Sequence, residues 1–129
     1  MRRRVEREDG SAVVEFALLL PLLFLVLLAV VQAGALAKDQ LVLTQAARAG
    51  AREAAVSLDD ASVREVALDA APGLDPELLE VGVAREGSLG SQVTVSIAYR
   101  APVAGVLAGW LLPETVDLRA VASMRQEVG

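Results

Sequence analysis

Residues 8–23 read EDGSAVVEFALLLPLL. Gly10 is its third residue, and Glu15 stands at the mouth of a run, Phe16 to Ala37, that holds no charged residue. As a helix at 1.5 Å per residue the run reaches about 33 Å, enough for a hydrocarbon core of about 30 Å. Arg2, Arg3, Arg4 and Arg7 precede it, and Lys38 alone follows it closely. That Lys/Arg bias predicts a transmembrane helix with its N-terminus in the cytoplasm and residues 38–129 outside. Glu6, Glu8 and Asp9 weigh little in that rule.

Two other readings of the run compete. Ala35-Leu36-Ala37 has the A-x-A form, and cleavage before Lys38 would release a secreted domain with an ordinary signal. Against this, Phe16–Val31 is already longer than a usual signal core, with Pro21 inside it and Glu15 at its edge. The other reading is a plain signal anchor in which Glu15 is incidental.

Beyond the run, KDQLVLTQAARAGAREAAVSL (residues 38–58) continues without Pro and is rich in Ala, a strong helix former. The pattern predicts one helix from about Ala12 to Ser57. Leu43, Ala47, Gly50, Ala54 and Leu58 share a face, and Arg48 and Arg52 share another. The small pairs Ala46/Gly50 and Ala47/Ala51 permit close approach, to the same chain or to another subunit. Asp59 or Asp60 is positioned to cap a second helix, DASVREVALDAA (60–71), that ends at Pro72-Gly73. Its apolar face is Val63, Val66, Ala67 and Ala70.

Three alternating stretches follow. Leu79, Val81 and Val83 share a side in the first, Val93, Val95, Ile97 and Tyr99 in the second, and Val116, Leu118, Ala120, Ala122 and Met124 in the third. EGSLGS (86–91) between the first two predicts an antiparallel hairpin. One apolar side per strand requires a lid, and the two helical segments are available. The fold class expected is α+β: a long N-terminal transmembrane helix, then a small domain with one short helix and a three-stranded antiparallel sheet. Its divisions are a basic leader (1–10), the transmembrane helix (11–37), an extracytoplasmic continuation (38–58) and the small α+β domain (59–129). Between the last two strands, PVAGVLAGWLLP (102–113) is too short to cross a bilayer. It reads either as a buried connection or short helix, or as an exposed apolar patch around Trp110 that meets a partner subunit or lipid headgroups.

Composition narrows the chemistry. The 129 residues contain no Cys and no His, which removes disulfides, thiolate chemistry, the commonest general base and the commonest metal ligand. From Lys38 onward 13 acidic residues face 8 basic ones, which argues against nucleic acid as a partner. No P-loop and no G-x-S-x-G occurs, and Ser88 between Gly87 and Gly90 lacks a His to activate it. Asp59, Asp60, Asp69 and Asp75 lack Ca²⁺-loop spacing. The chain is expected to be no enzyme, with no cofactor and no metal.

Gly10-Ser11-Ala12-Val13-Val14-Glu15-Phe16 resembles the type IV prepilin processing signal: a basic leader, a Gly, a cut, and Glu at the fifth mature position. Phe16 directly after Glu15 resembles the subgroup of the tight-adherence (Tad/Flp) pilus. GSAVVEFALLLPLLFLVLL (10–28), LTQAARAGAREAA (43–55) and the end at Met124-Arg125-Gln126-Glu127 resemble the TadE-like family of that system. The small outer domain matches a TadE-like minor pseudopilin better than the shorter Flp major pilin or the longer TadG-like members. The resemblance implies cleavage by a prepilin peptidase between Gly10 and Ser11. It implies a bacterial cytoplasmic-membrane protein that meets other pilus subunits and the Tad assembly machinery. Glu15, with Phe16, would serve subunit assembly by neutralising the new amine of Ser11, often on a neighbouring subunit. The alternative is that Glu15 merely snorkels at headgroup level. Pro21 removes a backbone donor and frees the Ala17 carbonyl, which permits a helix kink, active in packing or passive.

Overall fold

A computed structural model describes residues 2–105 and 108–128, with side chains described from Gly10 onward. The expected start at Met1, the leader side chains up to Asp9, Val106 and Leu107 of the apolar connection, and Gly129 lie outside the described residues. Helix α1 is Arg2–Val56, helix α2 is Asp60–Asp69, and a 3₁₀ turn covers Pro76–Leu78. Strands β1 (Leu79–Arg85), β2 (Gln92–Pro102) and β3 (Thr115–Arg125) follow. This is the α+β architecture the sequence predicts, with one long apolar helix, one short helix and a three-stranded antiparallel sheet.

The chain divides into two compact units, Met1–Gly34 and Ala35–Gly129. The first is helical throughout its described residues. Helix begins at Arg2, some ten residues before the expected Ala12. The leader is mostly Arg and Glu, both good helix formers, and one Gly costs only about 1 kcal/mol relative to Ala. Pro21 lies within the helix.

In the second unit the sheet order is β1-β2-β3, so β2 is central. The registers Val81↔Ile97 and Ile97↔Ala120 place the three inward rows side by side. Burial alternates along every strand, most clearly in β2, where Val93, Val95, Ile97, Tyr99 and Ala101 point inward. The lid over that face is built from α1 and α2. Leu43, Ala46, Ala47, Ala51, Ala54 and Ala55 of α1 join Val63 and Ala67 of α2 in one cluster with the strand residues. The small residues of α1 therefore meet their own chain. A β-carbon on Gly50 would stand 3.2 Å from both Ala67 Cβ and Val95 Cγ1.

Two contacts give α1 its direction over the sheet. Gln40 Nε2 donates to the Arg119 carbonyl at 2.8 Å, and the Glu127 amide donates to the Ala55 carbonyl at 2.7 Å. The helix thus runs alongside β3 in the same sense. Helix α2 returns the opposite way. It starts at Asp59, whose side chain accepts from the Ala61 amide at 3.0 Å as an N-cap. It ends before Gly73, which adopts φ +83 and lies where a β-carbon would be 4.0 Å from Lys38 Nζ.

Two expectations are corrected. Leu58 does not share the buried face, because the helix has ended at Val56 and the side chain is 56% exposed. Of the two readings of the connection after β2, the buried or short-helix one gives way to the exposed one at its described tip, where Trp110 is 70% and Leu111 62% exposed.

Candidate assembly and anchoring site

The residues singled out from the sequence all lie on α1 of the first unit. Gly10 has no atom within 4 Å of where a β-carbon would sit, and Ser11 beside it is exposed. Both are helical. A cut between them needs the backbone to leave the helix locally, and Gly is the residue that makes this least costly. Glu15 is exposed on the same helix. Its position four residues after Ser11 sets the two on one face, about 6 Å apart along the axis. Leu18 and Leu22 continue that face. Phe16, turned roughly 100° away, is 60% exposed. Pro21 begins the next part of the apolar surface, and its missing N–H leaves the Ala17 carbonyl without the usual partner.

The surface around these residues is apolar throughout. Val13, Val14, Leu18, Leu22, Leu23, Phe24, Val26 and Leu27 are each more than half exposed. Gly10–Val56 is long and apolar enough to cross a membrane, and none of its most apolar window is buried. In water such a surface would be a large liability. Next to hydrocarbon it is what a spanning helix requires.

The second unit shows how the far end of α1 is held. Arg85, at the end of β1, points inward and its Nη1 donates to the Ala54 carbonyl at 2.8 Å. Its Nη2 pairs with Asp60 Oδ1 at 2.8 Å. A cation on the last carbonyls of a helix satisfies orphan acceptors and meets the negative end of the helix dipole. Ser62 Oγ donates to Glu53 Oε1 at 2.7 Å, tying α2 back to the same turn. The sequence reading missed Arg85. A charged residue at a strand end reads as a solvated tip, and only the three-dimensional meeting with Ala54 reveals its work.

No group of three or more His, Cys, Asp or Glu residues gathers as a metal site among the described residues. No curated protein and no solved structure matches the chain. A family match does exist, and it begins at Gly10 and ends within the helical segment that covers the sheet. Over residues 10–52 the chain is similar to the family described as TadE-like protein.

Proposed function

We propose that this chain is a membrane-anchored TadE-like minor pseudopilin that takes part in Tad/Flp pilus assembly. The observation that carries the reading is the family match over residues 10–52, which starts at the glycine where cleavage is expected. In this reading residues 1–10 are a basic cytoplasmic leader and residues 11–37 cross the bacterial cytoplasmic membrane. Residues 38–58 continue the helix outside, and residues 59–129 complete the small domain. A prepilin peptidase removes the leader after Gly10 and leaves Ser11 with a free amine. The chain is a substrate and a subunit, not an enzyme.

Glu15 then has a physical task. A carboxylate at the edge of an apolar surface is costly alone and far less so when paired. Phe16 to Ala37 supplies no cation. The new amine on Ser11 of a neighbouring subunit supplies one. The pair forms only at one axial offset between subunits, so it sets register as well as offsetting desolvation. Phe16 packs beside it, and Pro21 lets the helix adjust in the contact.

The test is intact-mass and N-terminal peptide analysis of protein recovered from its native host. A mature start at Ser11 is expected. A start at Lys38 would sink the reading in favour of a secreted domain. An uncut Met1 would refute the cleavage step and leave a plain anchor. Glu15→Val is expected to insert into membranes normally yet to reduce incorporation into pili.

A further inference from the structure

The connection between β2 and β3 has no part in the reading above. Its described residues are held by backbone hydrogen bonds. The Val103 amide donates to the Glu114 carbonyl at 2.9 Å and closes its neck. Nearer the tip, the Ala108 amide donates to the Gly105 carbonyl at 3.2 Å and the Gly109 amide to the Leu112 carbonyl at 2.9 Å. Gly109, at φ +79, turns the backbone so that Trp110 and Leu111 form the apex. Trp110, Leu111 and Leu112 are 70%, 62% and 38% exposed. Elsewhere in the second unit, exposed large apolar residues such as Leu41, Leu89 and Val121 stand singly. Single ones are ordinary, whereas three in a row at a fixed apex are not. Glu114 is the one charged residue in 103–114.

The location of this apex selects its partner. Helix α1 and β3 run in the same sense, level at Gln40 with Arg119 and at Ala55 with Glu127. Between those levels α1 covers about 22 Å and β3 about 26 Å, so the two are nearly aligned. From Gln40 back to Ala35, α1 recedes about 7.5 Å. From Arg119 back to Thr115, β3 recedes about 13 Å. The strand end that carries the apolar excursion therefore lies at the end of the second unit where α1 enters it, at the level of Ala35. The charge-free run ends at Ala37, and Lys38 is the first charge after it. A bilayer that holds this run as far as Ala37 would have its outer headgroup region at that same end of the second unit. Trp prefers that region, because its ring is apolar and its N–H reaches water or headgroups.

We propose that the apex Trp110–Leu112 forms a membrane foot. Trp110, Leu111 and Leu112 seat in the headgroup region of the leaflet from which α1 emerges, and they fix the tilt and height of the domain above it. The occupant of the patch is lipid. The foot rests on the reading that Phe16–Ala37 spans the bilayer.

Trp110 is the sole tryptophan, so its fluorescence reports the foot alone. The full chain is reconstituted at high lipid-to-protein ratio in vesicles of phosphatidylethanolamine and phosphatidylglycerol, three to one, and floated on a density gradient. The expected result is flotation with blue-shifted emission, weak quenching by iodide, and strong quenching by phospholipid brominated near the top of its acyl chains. Leu111→Asp combined with Leu112→Asp should restore iodide access while flotation and far-UV circular dichroism stay unchanged. Water-like emission in floating vesicles would overturn the foot and leave the anchor intact. Protection from both iodide and brominated lipid would overturn it in favour of a protein contact. Failure to float would overturn the anchor, and the foot with it.

Discussion

The two units use apolar side chains in opposite ways. In residues 10–34 the large ones are outside: Leu18, Val13 and Phe16 are 74%, 68% and 60% exposed. In the second unit the buried residues are small. Nine of the seventeen buried apolar residues among the described residues are alanine. The difference teaches what each surface is built to meet. Leu, Val and Phe standing outward suit hydrocarbon, which needs area but no fixed shape. Alanine facing inward lets one helix lie close on a sheet, with the volume supplied by Val93, Val95, Ile97 and Tyr99 of the central strand. Equal substitutions should therefore have unequal effects in the two units.

The largest contrast is expected from truncating matched aliphatic residues. Ile97→Ala should destabilise the second unit by about 2–5 kcal/mol, because Ile97 is 2% exposed and its neighbours cannot all collapse into the gap. Leu22→Ala, at a residue 57% exposed, should leave that unit's stability unchanged. Urea unfolding of the full chain in detergent, followed by Tyr99 environment and circular dichroism, checks both. Equal losses would break the contrast. Overpacking comes next. Gly50→Val places methyls against Ala67 and Val95 and should cost about 1–3 kcal/mol, whereas Gly34→Val, with open space around it, should cost far less.

Smaller effects sharpen the account of how α1 ends. Arg85→Met removes the donor to Ala54 and should cost about 1–2 kcal/mol. The Asp60 partner is 59% exposed at its side chain, so most of that loss should survive high salt. Arg85→Lys should recover only part of it, since one ammonium replaces two arms of a fork. A loss that vanishes in high salt would show that the ion pair, and not the cap, was being measured. Asp59→Ala, which removes the N-cap of α2, should cost about 1 kcal/mol by the same denaturation.

Much of this architecture could be read from pattern. Alternation over TVDLRAVASMR, broken only by the exposed Val121, locates β3 at Thr115–Arg125, because one slipped residue would turn the row Val116, Leu118, Ala120, Ala122 and Met124 to water. Asp59 before an apolar-periodic stretch marks the start of α2 for the same local reason that caps work at all. Three things were not legible. Alanine is a good helix former on any face, so Ala46, Ala51 and Ala55 did not announce which side of α1 is buried. Leu58 fitted the helical period but lay beyond the helix end, which is set by Arg85 and Glu127 from distant parts of the chain. The apolar connection read equally well as buried or exposed, since composition alone does not say whether a covering element is at hand. Glu15, Phe16 and Pro21 fell within the helix expected from about Ala12, whereas Gly10 and Ser11 proved helical although they were expected to precede it.

The hydrogen bonds from Gln40 to Arg119 and from Glu127 to Ala55 join the opening element of the second unit to its closing one, across 79 residues in the first case. Such a topology has an order built into its synthesis. When α1 has already left the ribosome, its inward alanines still lack the strand that completes their cover. That strand is translated after every other element of the second unit. Pairing over so long a loop is slow, and until it happens β2 offers an open edge to any other chain nearby. Residues 115–127 thus act as a closing latch, and a stop codon before them should yield a protein whose α1 forms yet whose second unit never folds.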